Sequence, residues 1–275
     1  QAALINAASQ SQVASAAQVA ASLDAFVQNN LDALRTEAQI GDIIELLELP
    51  PNQRAGSEVL ESTNDILSAF KQKNPVYITS YAVFDSSGVA IADTAVDEVG
   101  LVKLEREYFK QARDTGLPYV SEVLASPVTG DMSLYFSAPI RNPVGDFLGV
   151  LRVRYDSEIL QQIVSTHFDY ETGLVMVVST DNVLLVHTAD TDLAYRSIVP
   201  LNADQIAAMQ QALILPGESE DPYFIDFADF AANIAPEKLG QVFFGEFHEQ
   251  HTDEATSREQ ANAVRMDTRP WVVVI

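Results

Sequence analysis

Residues 131–156 read "DMSLYFSAPIRNPVGDFLGVLRVRYD", and their period decides the fold. Apolar and polar side chains alternate in twos on both sides of "RNPVGD", where proline and glycine stand as a tight connection between antiparallel strands wants them. One face of the first strand then carries Ser133, Tyr135 and Ser137 and the other carries Met132, Leu134 and Phe136. The second strand sets Arg152 and Arg154 against Leu151, Val153 and Tyr155. The apolar faces suit packing under a helix, and the polar faces place arginines and phenols on one surface.

Upstream, "YVSEVLA" (119–125) is a third strand candidate, and "REYFKQARDTG" (106–116) is a short helix ending at Gly116. "VYITSYAVFDSSGVAIADT" (76–94) reads as a hairpin turning at "DSSG", with Gly88 taking positive φ. Before it, Ser57 to about Lys73 has helical spacing and stops at Asn74-Pro75. The first 49 residues hold one glycine and no proline. Their apolar stripe, Leu4, Ala8, Ala16, Val19, Leu23, Val27, Leu31 and Leu34, predicts one helix of up to ~70 Å, ended by "LPPN". The first part of so long a stripe is alanine-rich and weakly hydrophobic, which suits contact with a second copy or an exposed stalk.

Downstream, "SEILQQIVSTHF" (157–168) is a linking helix and "GLVMVVSTDNVLLVHT" (173–188) a second hairpin. A helix over 204–215 follows, then strands over 222–230, 238–249, 261–268 and 271–275. The repeated order predicts an α+β fold: a long N-terminal helix at 1–49 and two antiparallel-sheet modules with flanking helices, at 50–165 and 166–275.

Composition bounds the chemistry. Sixteen Lys and Arg against 39 Asp and Glu give a formal charge of −23, which argues against nucleic acid as a partner. There is no cysteine, hence no disulfide, thiol nucleophile or thiolate metal ligand. No run reaches the roughly 18 to 20 apolar residues of a spanning helix. The opening on Gln1 without a methionine and the closing "RPWVVVI" read as the ends of an excised piece. Of four histidines, only His248 and His251 in "FHEQH" are neighbours; with Asp253 or Glu254 they could offer metal ligands, but the segment reads as a solvated loop, and no metal is assigned. No phosphate-binding glycine loop, nucleophile elbow or acid–base pair stands out, so neither a cofactor nor an enzymatic reaction is expected.

What remains is a set of cations and phenols. Arg106 and Tyr108 open the short helix, Tyr119 the strand after it, and Tyr81 lies in the first hairpin. With Ser133, Tyr135, Arg152 and Arg154 they form the candidate ligand-binding set. A guanidinium matches a carboxylate with a planar fork of donors, and tyrosine adds a neutral donor and a wall. The other reading of these arginines is pairing with the chain's many acidic residues.

The order of these motifs resembles the double Cache sensor family, extracytoplasmic ligand-binding regions of bacterial chemoreceptors and histidine kinases. The resemblance runs through "YAVFDSSGVAIADT", "REYFKQA", "YVSEVLASPVTGDMSLYFSAPIRNPVGDFLGVLRVRYDSEIL", "VMVVSTDNVLLVHT" and "PWVVVI", and "APIRNPVGDFLGVL" is its most specific part. It implies two PAS-like modules on one long helix, with a small ligand in the membrane-distal module, 50–165. It also implies flanking transmembrane helices, a homodimeric receptor and no catalysis. In amino-acid-binding members an arginine matching Arg106 takes the ligand carboxylate, Tyr108 stands where tryptophan is usual, and Tyr119 matches. The family's tyrosine five residues before that arginine falls on Leu101, and the aspartate that holds the ligand ammonium falls on Arg154. The resemblance so modified implies a carboxylate without a neighbouring amine, such as a di- or hydroxy-acid. A sensor that reads a periplasmic binding protein, or takes no small molecule, is the alternative.

Overall fold

The structure is a computed structural model and describes residues 2–167, 173–217, 222–225, 227–246 and 258–275. The chain divides into two compact units. The sheet unit comprises 27–126 and 131–159; the C-terminal unit comprises 1–26, 127–130 and 160–275.

Helix α1 runs Ala2–Glu37 and is shared between them. The single helix expected to Leu49 ends twelve residues earlier and restarts as α2, Gly41–Glu48. Ile40 between them is extended (φ −67°, ψ 131°), and this turn lets Ile43, Leu46 and Leu47 bury a second apolar face. From Ala16 onward the stripe is buried except at half-buried Leu31, with Ala16, Leu23 and Val27 each at 0% exposure. Pro50-Pro51 closes α2 and opens the one-turn α3, Pro51–Arg54. Helix α4 is Glu58–Lys71, and the Ser57 hydroxyl accepts from the Leu60 N–H at 3.1 Å. Replacing Ser57 by Ala removes that acceptor and leaves the Leu60 N–H only the Ser57 carbonyl at 3.1 Å, so a loss of about 1 kcal/mol is expected in urea unfolding.

The sheet unit is built on five antiparallel strands in the order β2-β1-β5-β4-β3. They are β1 Ile78–Asp85, β2 Ala90–Asp93, β3 Tyr119–Ala125, β4 Met132–Arg141 and β5 Phe147–Asp156. Helix α5, Glu107–Thr115, precedes β3. The period-two reading of β4 and β5 holds, because Tyr135 stands opposite Arg154 and Ser137 opposite Arg152. The other face, with Leu134, Phe136, Leu151 and Val153 all at 0% exposure, lies against the helices. Two glycines permit close backbone approach. A Cβ on Gly149 would lie 1.9 Å from the Phe84 carbonyl oxygen, where β1 and β5 pair. At Gly88 (φ +79°) a Cβ would meet the Leu104 backbone at 2.6 Å, so glycine lets the segment 100–104 lie along the first hairpin. The Lys103 N–H donates to Gly88 O at 2.7 Å there.

The C-terminal unit begins within α6, Glu158–His167, and holds β6 Met176–Val178, β7 Leu184–His187 and α7 Ala203–Gln211. Helix α8 Ala228–Asn233 and strands β8 Phe243–Glu246, β9 Arg258–Ala261, β10 Ala263–Arg265 and β11 Val272–Val274 follow. Four strands pair antiparallel in the order β10-β11-β6-β7, and β8 pairs with β9. The strand expected over 222–230 is largely absent: Phe224 makes an isolated bridge to Ser197 and the chain then coils into α8. Phe227, Phe230 and Ile234 step by three and four, which a helix can bury together and a strand cannot. Trp271 is fully buried at the start of the last strand. Helix α1 is tied into this unit by Gln12, which meets Gln260 and Asn262, and by Asp24, which accepts from the amides of Asp267 and Thr268.

Candidate functional site

The polar face of the five-stranded sheet and helix α5 enclose the candidate site. Arg106 is the N-cap residue of α5, in extended conformation, and its side chain makes no capping bond. The guanidinium instead reaches over two rings, its Cζ 5.9 Å from the centroids of both Tyr108 and Tyr135. Those rings stack at 5.1 Å and 15°. The Ser137 hydroxyl donates to Tyr108 O at 2.8 Å, fixing the first turn of α5 to β4. Phe109, one residue on, is fully buried, edge-on to Phe84 at 6.3 Å, so α5 is anchored by an aromatic and cannot slide without breaking that contact. Arg106 Nη2 is buried and has no hydrogen-bond partner among the described residues.

Arg152 and Arg154 are differently placed. Arg152 is 1% exposed; its Nη2 donates to Asp93 Oδ2 at 2.8 Å and its Nη1 to the Ser80 hydroxyl. Arg154 donates to Glu98 Oε1 at 2.7 Å, to the Thr79 hydroxyl at 2.9 Å and to the Ser126 hydroxyl at 3.3 Å. The Lys103 ammonium takes the other Glu98 oxygen at 3.1 Å. The acid pairing that the sequence left open thus occurs through two buried carboxylates rather than exposed ones. Burial lifts the Asp93 carboxyl above its ordinary range, against the pull of Arg152 and the Ala95 amide. Arg152 cannot release its proton at ordinary pH, and Asp93 keeps it charged although burial works the other way.

Burial would also raise Glu98, but Arg152, Arg154 and Lys103 together outweigh it and hold the carboxyl below the ordinary 4.5. A carboxyl depressed in the folded state adds stability that is fully present above its unfolded value and is lost as the pH falls through the folded one. Melting temperature should therefore drop on acidification below about pH 4.5, and the drop should be shallower in Glu98→Gln. Equal slopes for the two proteins would remove Glu98 as the cause. The Tyr108 phenol is pushed up to about 12, first by burial, with Arg152 and Arg106 pulling it down, so it enters any neutral-pH interaction as a donor.

The remaining candidates separate. Tyr119 lies opposite Ser137, and its hydroxyl donates to Glu107 Oε1 at 2.7 Å. Ser133 is on the same face at the far end of β4, donating to Asp131 O at 3.3 Å. Tyr81 lies on the opposite, helix-covered face: its ring meets Phe70 of α4 at 5.4 Å, and its phenol is raised by burial and by Glu37. It is not brought to Arg106, because strand alternation turns residue 81 away from the face that Ser80 shares with Arg152. Asp93, Glu98 and Lys103 were not singled out in the sequence. His248, His251, Asp253 and Glu254 lie outside the described residues. An open cavity of about 570 Å3 in the same unit is lined by Arg35, Gln39, Ile44, Leu117, Pro118 and Arg141, and does not include Arg106.

The family model described as Cache domain, dCache_1, matches residues 1–275, and the chain belongs to that family. No curated protein matches it. Among solved structures, the sensor domain of the V. cholerae histidine kinase DctB is similar at 12% identity and TM-score 0.74, covering 98% of this chain and 96% of that one. The ligand-binding domain of the Campylobacter jejuni chemoreceptor Tlp3 with L-valine follows at 13% identity and TM-score 0.62, covering 100% and 94%. That of the Pseudomonas aeruginosa amino acid chemoreceptor PctC with GABA is similar at 16% and 0.55, covering 94% of each chain. Identities this low carry the fold alone: a long N-terminal helix with two PAS-like Cache modules. Family and fold are those of ligand-binding sensor domains.

Proposed function

We propose that the chain is the extracytoplasmic sensing domain of a transmembrane receptor of the chemoreceptor or histidine-kinase kind. Its ligand is a small carboxylate without an amino group, held between Arg106 and the five-stranded sheet in the membrane-distal module. The observation that carries this is the buried, unpartnered Arg106 Nη2 above the Tyr108–Tyr135 stack. A buried donor left unmade costs about 1–3 kcal/mol, which a carboxylate would recover. The acceptors nearby are already engaged. Asp93 takes Arg152 and the Ala95 amide, and Glu98 takes Arg154 and Lys103. An ammonium group would meet cations there, with both buried carboxylates already paired.

L-Valine and GABA, bound by the two chemoreceptor neighbours, both carry an ammonium group. The departure at position 154 is the reason to expect a different ligand here. Binding would signal only through a difference in affinity between two arrangements of the domain. Thermal-shift screening of simple carboxylates against amino acids tests the proposal. Stabilisation by carboxylates and indifference to their 2-amino counterparts is the expected outcome; selective stabilisation by amino acids would sink it.

A further inference from the structure

We infer that the sheet unit holds a second binding site, the open cavity of about 570 Å3 at the C-terminal end of α5, and that it takes a small organic anion with an apolar body. The cavity is separate from Arg106. Arg106 caps the N-terminus of α5, whereas the cavity wall includes Gly116 at the C-cap. The nine helical residues between them span about 13 Å. The volume falls in the range of small-molecule pockets, on the order of 300–1,000 Å3.

Two arginines give the cavity its sign. Gly116 has φ +69°, and a Cβ there would lie 3.0 Å from Arg141 Nη2, so glycine lets that guanidinium sit against the end of the helix. Arg141 Nη1 donates to Gly145 O at 2.8 Å, across the turn between β4 and β5. Asn142 holds the same turn, its Oδ1 accepting from the Val144 and Asp146 amides. Arg141 is therefore positioned by the main chain, yet its Nε and Nη2 make no hydrogen bond and it has no ion pair among the described residues. From the last turn of α1, Arg35 adds a second guanidinium, of which Nη1 alone is engaged, by Asp32 at 2.7 Å. Among the described residues no Asp or Glu lines the cavity, although the chain holds 39 of them. Two guanidinia with donors to spare and no acid in the wall favour an anion, and a planar carboxylate matches their fork. The rest of the wall is largely apolar, with Ile44, Pro118, Pro139 and Leu117, the last 62% exposed. An apolar body on the anion would cover that surface.

Calorimetry with phenylacetate, acetate and phenylacetamide on the 275-residue chain carrying Arg106→Ala tests this, because that substitution removes the cation of the other site. Phenylacetate should bind. Acetate, which lacks the ring, and phenylacetamide, which lacks the charge, should each bind at least about 10-fold more weakly. Arg141→Gln and Arg35→Gln, made separately in the same background, should each weaken phenylacetate by roughly 10-fold. Both positions are exposed, so neither substitution opens the core. Absence of phenylacetate binding, or binding that both substitutions leave unchanged, overturns the second site. Equal affinity for phenylacetate and phenylacetamide overturns the anionic class. None of these results touches the reading of Arg106, which the same titrations in the unsubstituted chain address.

Discussion

Replacing Arg106 by Ala should weaken carboxylate binding by roughly 10- to 100-fold, the value of a charge-assisted hydrogen-bonded contact, while leaving the unliganded melting temperature almost unchanged. The two halves of this expectation have separate causes. The affinity loss follows from removing the cation whose Nη2 has no partner among the described residues. The small stability cost follows from what the side chain does otherwise: it makes no capping bond to α5 and lies over two rings at 5.9 Å. A cation–π contact of that kind contributes about 0.5–1 kcal/mol. Arg106→Lys should fall between wild type and Ala, because an ammonium keeps the charge but loses the planar fork. Wild-type affinity in Arg106→Ala would place the ligand elsewhere.

Asp93→Ala should do the reverse, costing about 3–5 kcal/mol of folding stability as measured by urea unfolding. The Asp93 side chain is 0% exposed and is the only ion-pair partner of Arg152 among the described residues. Removing it leaves a buried guanidinium with the Ser80 hydroxyl as its remaining partner. A buried ion pair is expensive to break but often dispensable as a pair, so the double variant Asp93→Ala with Arg152→Met should recover most of the loss. A single-variant cost below about 1 kcal/mol would mean that water reaches Arg152 once Asp93 is gone.

The fold was legible where period and punctuation agreed. The strands over 119–125 and 147–156 match their expected bounds, because alternation and the flanking turns left no competing period. Two readings failed, each for its own reason. "PYFIDFADF" has strand-like composition, yet Phe227 and Phe230 are buried together only in a helix. The long helix was overextended because nothing at 38–41 but Gly41 interrupts the pattern, and the gain from turning there lies in tertiary burial of Ile43 and Leu47.

The arrangement of the candidate residues was legible by halves. Arg106 lies over the Tyr108–Tyr135 stack, and Arg152 and Arg154 stand on the same sheet face as Tyr135, as their alternation led one to expect. Asp93, Glu98 and Lys103 carried no such mark, since two acids among 39 cannot be chosen without knowing which strand end or turn folds onto the arginines. Asp93 ends β2, and Glu98 closes a one-turn 3-10 segment, Val96–Glu98. Their pairing with β5 is set by sheet register and by the loop that Gly88 admits. The same register explains Tyr81: being one residue from Ser80 in sequence puts it on the other side of the sheet.

The distribution of aromatic residues has an optical consequence. Trp271, the single tryptophan, is buried in the C-terminal unit, whereas the stacked Tyr108 and Tyr135 belong to the sheet unit. Tryptophan emission therefore follows one half of the molecule, and near-ultraviolet tyrosine dichroism draws its strongest packed pair from the other. Titrating a ligand at Arg106 while recording both signals would show whether the event stays beside the stacked rings or is also felt by the tryptophan of the other unit.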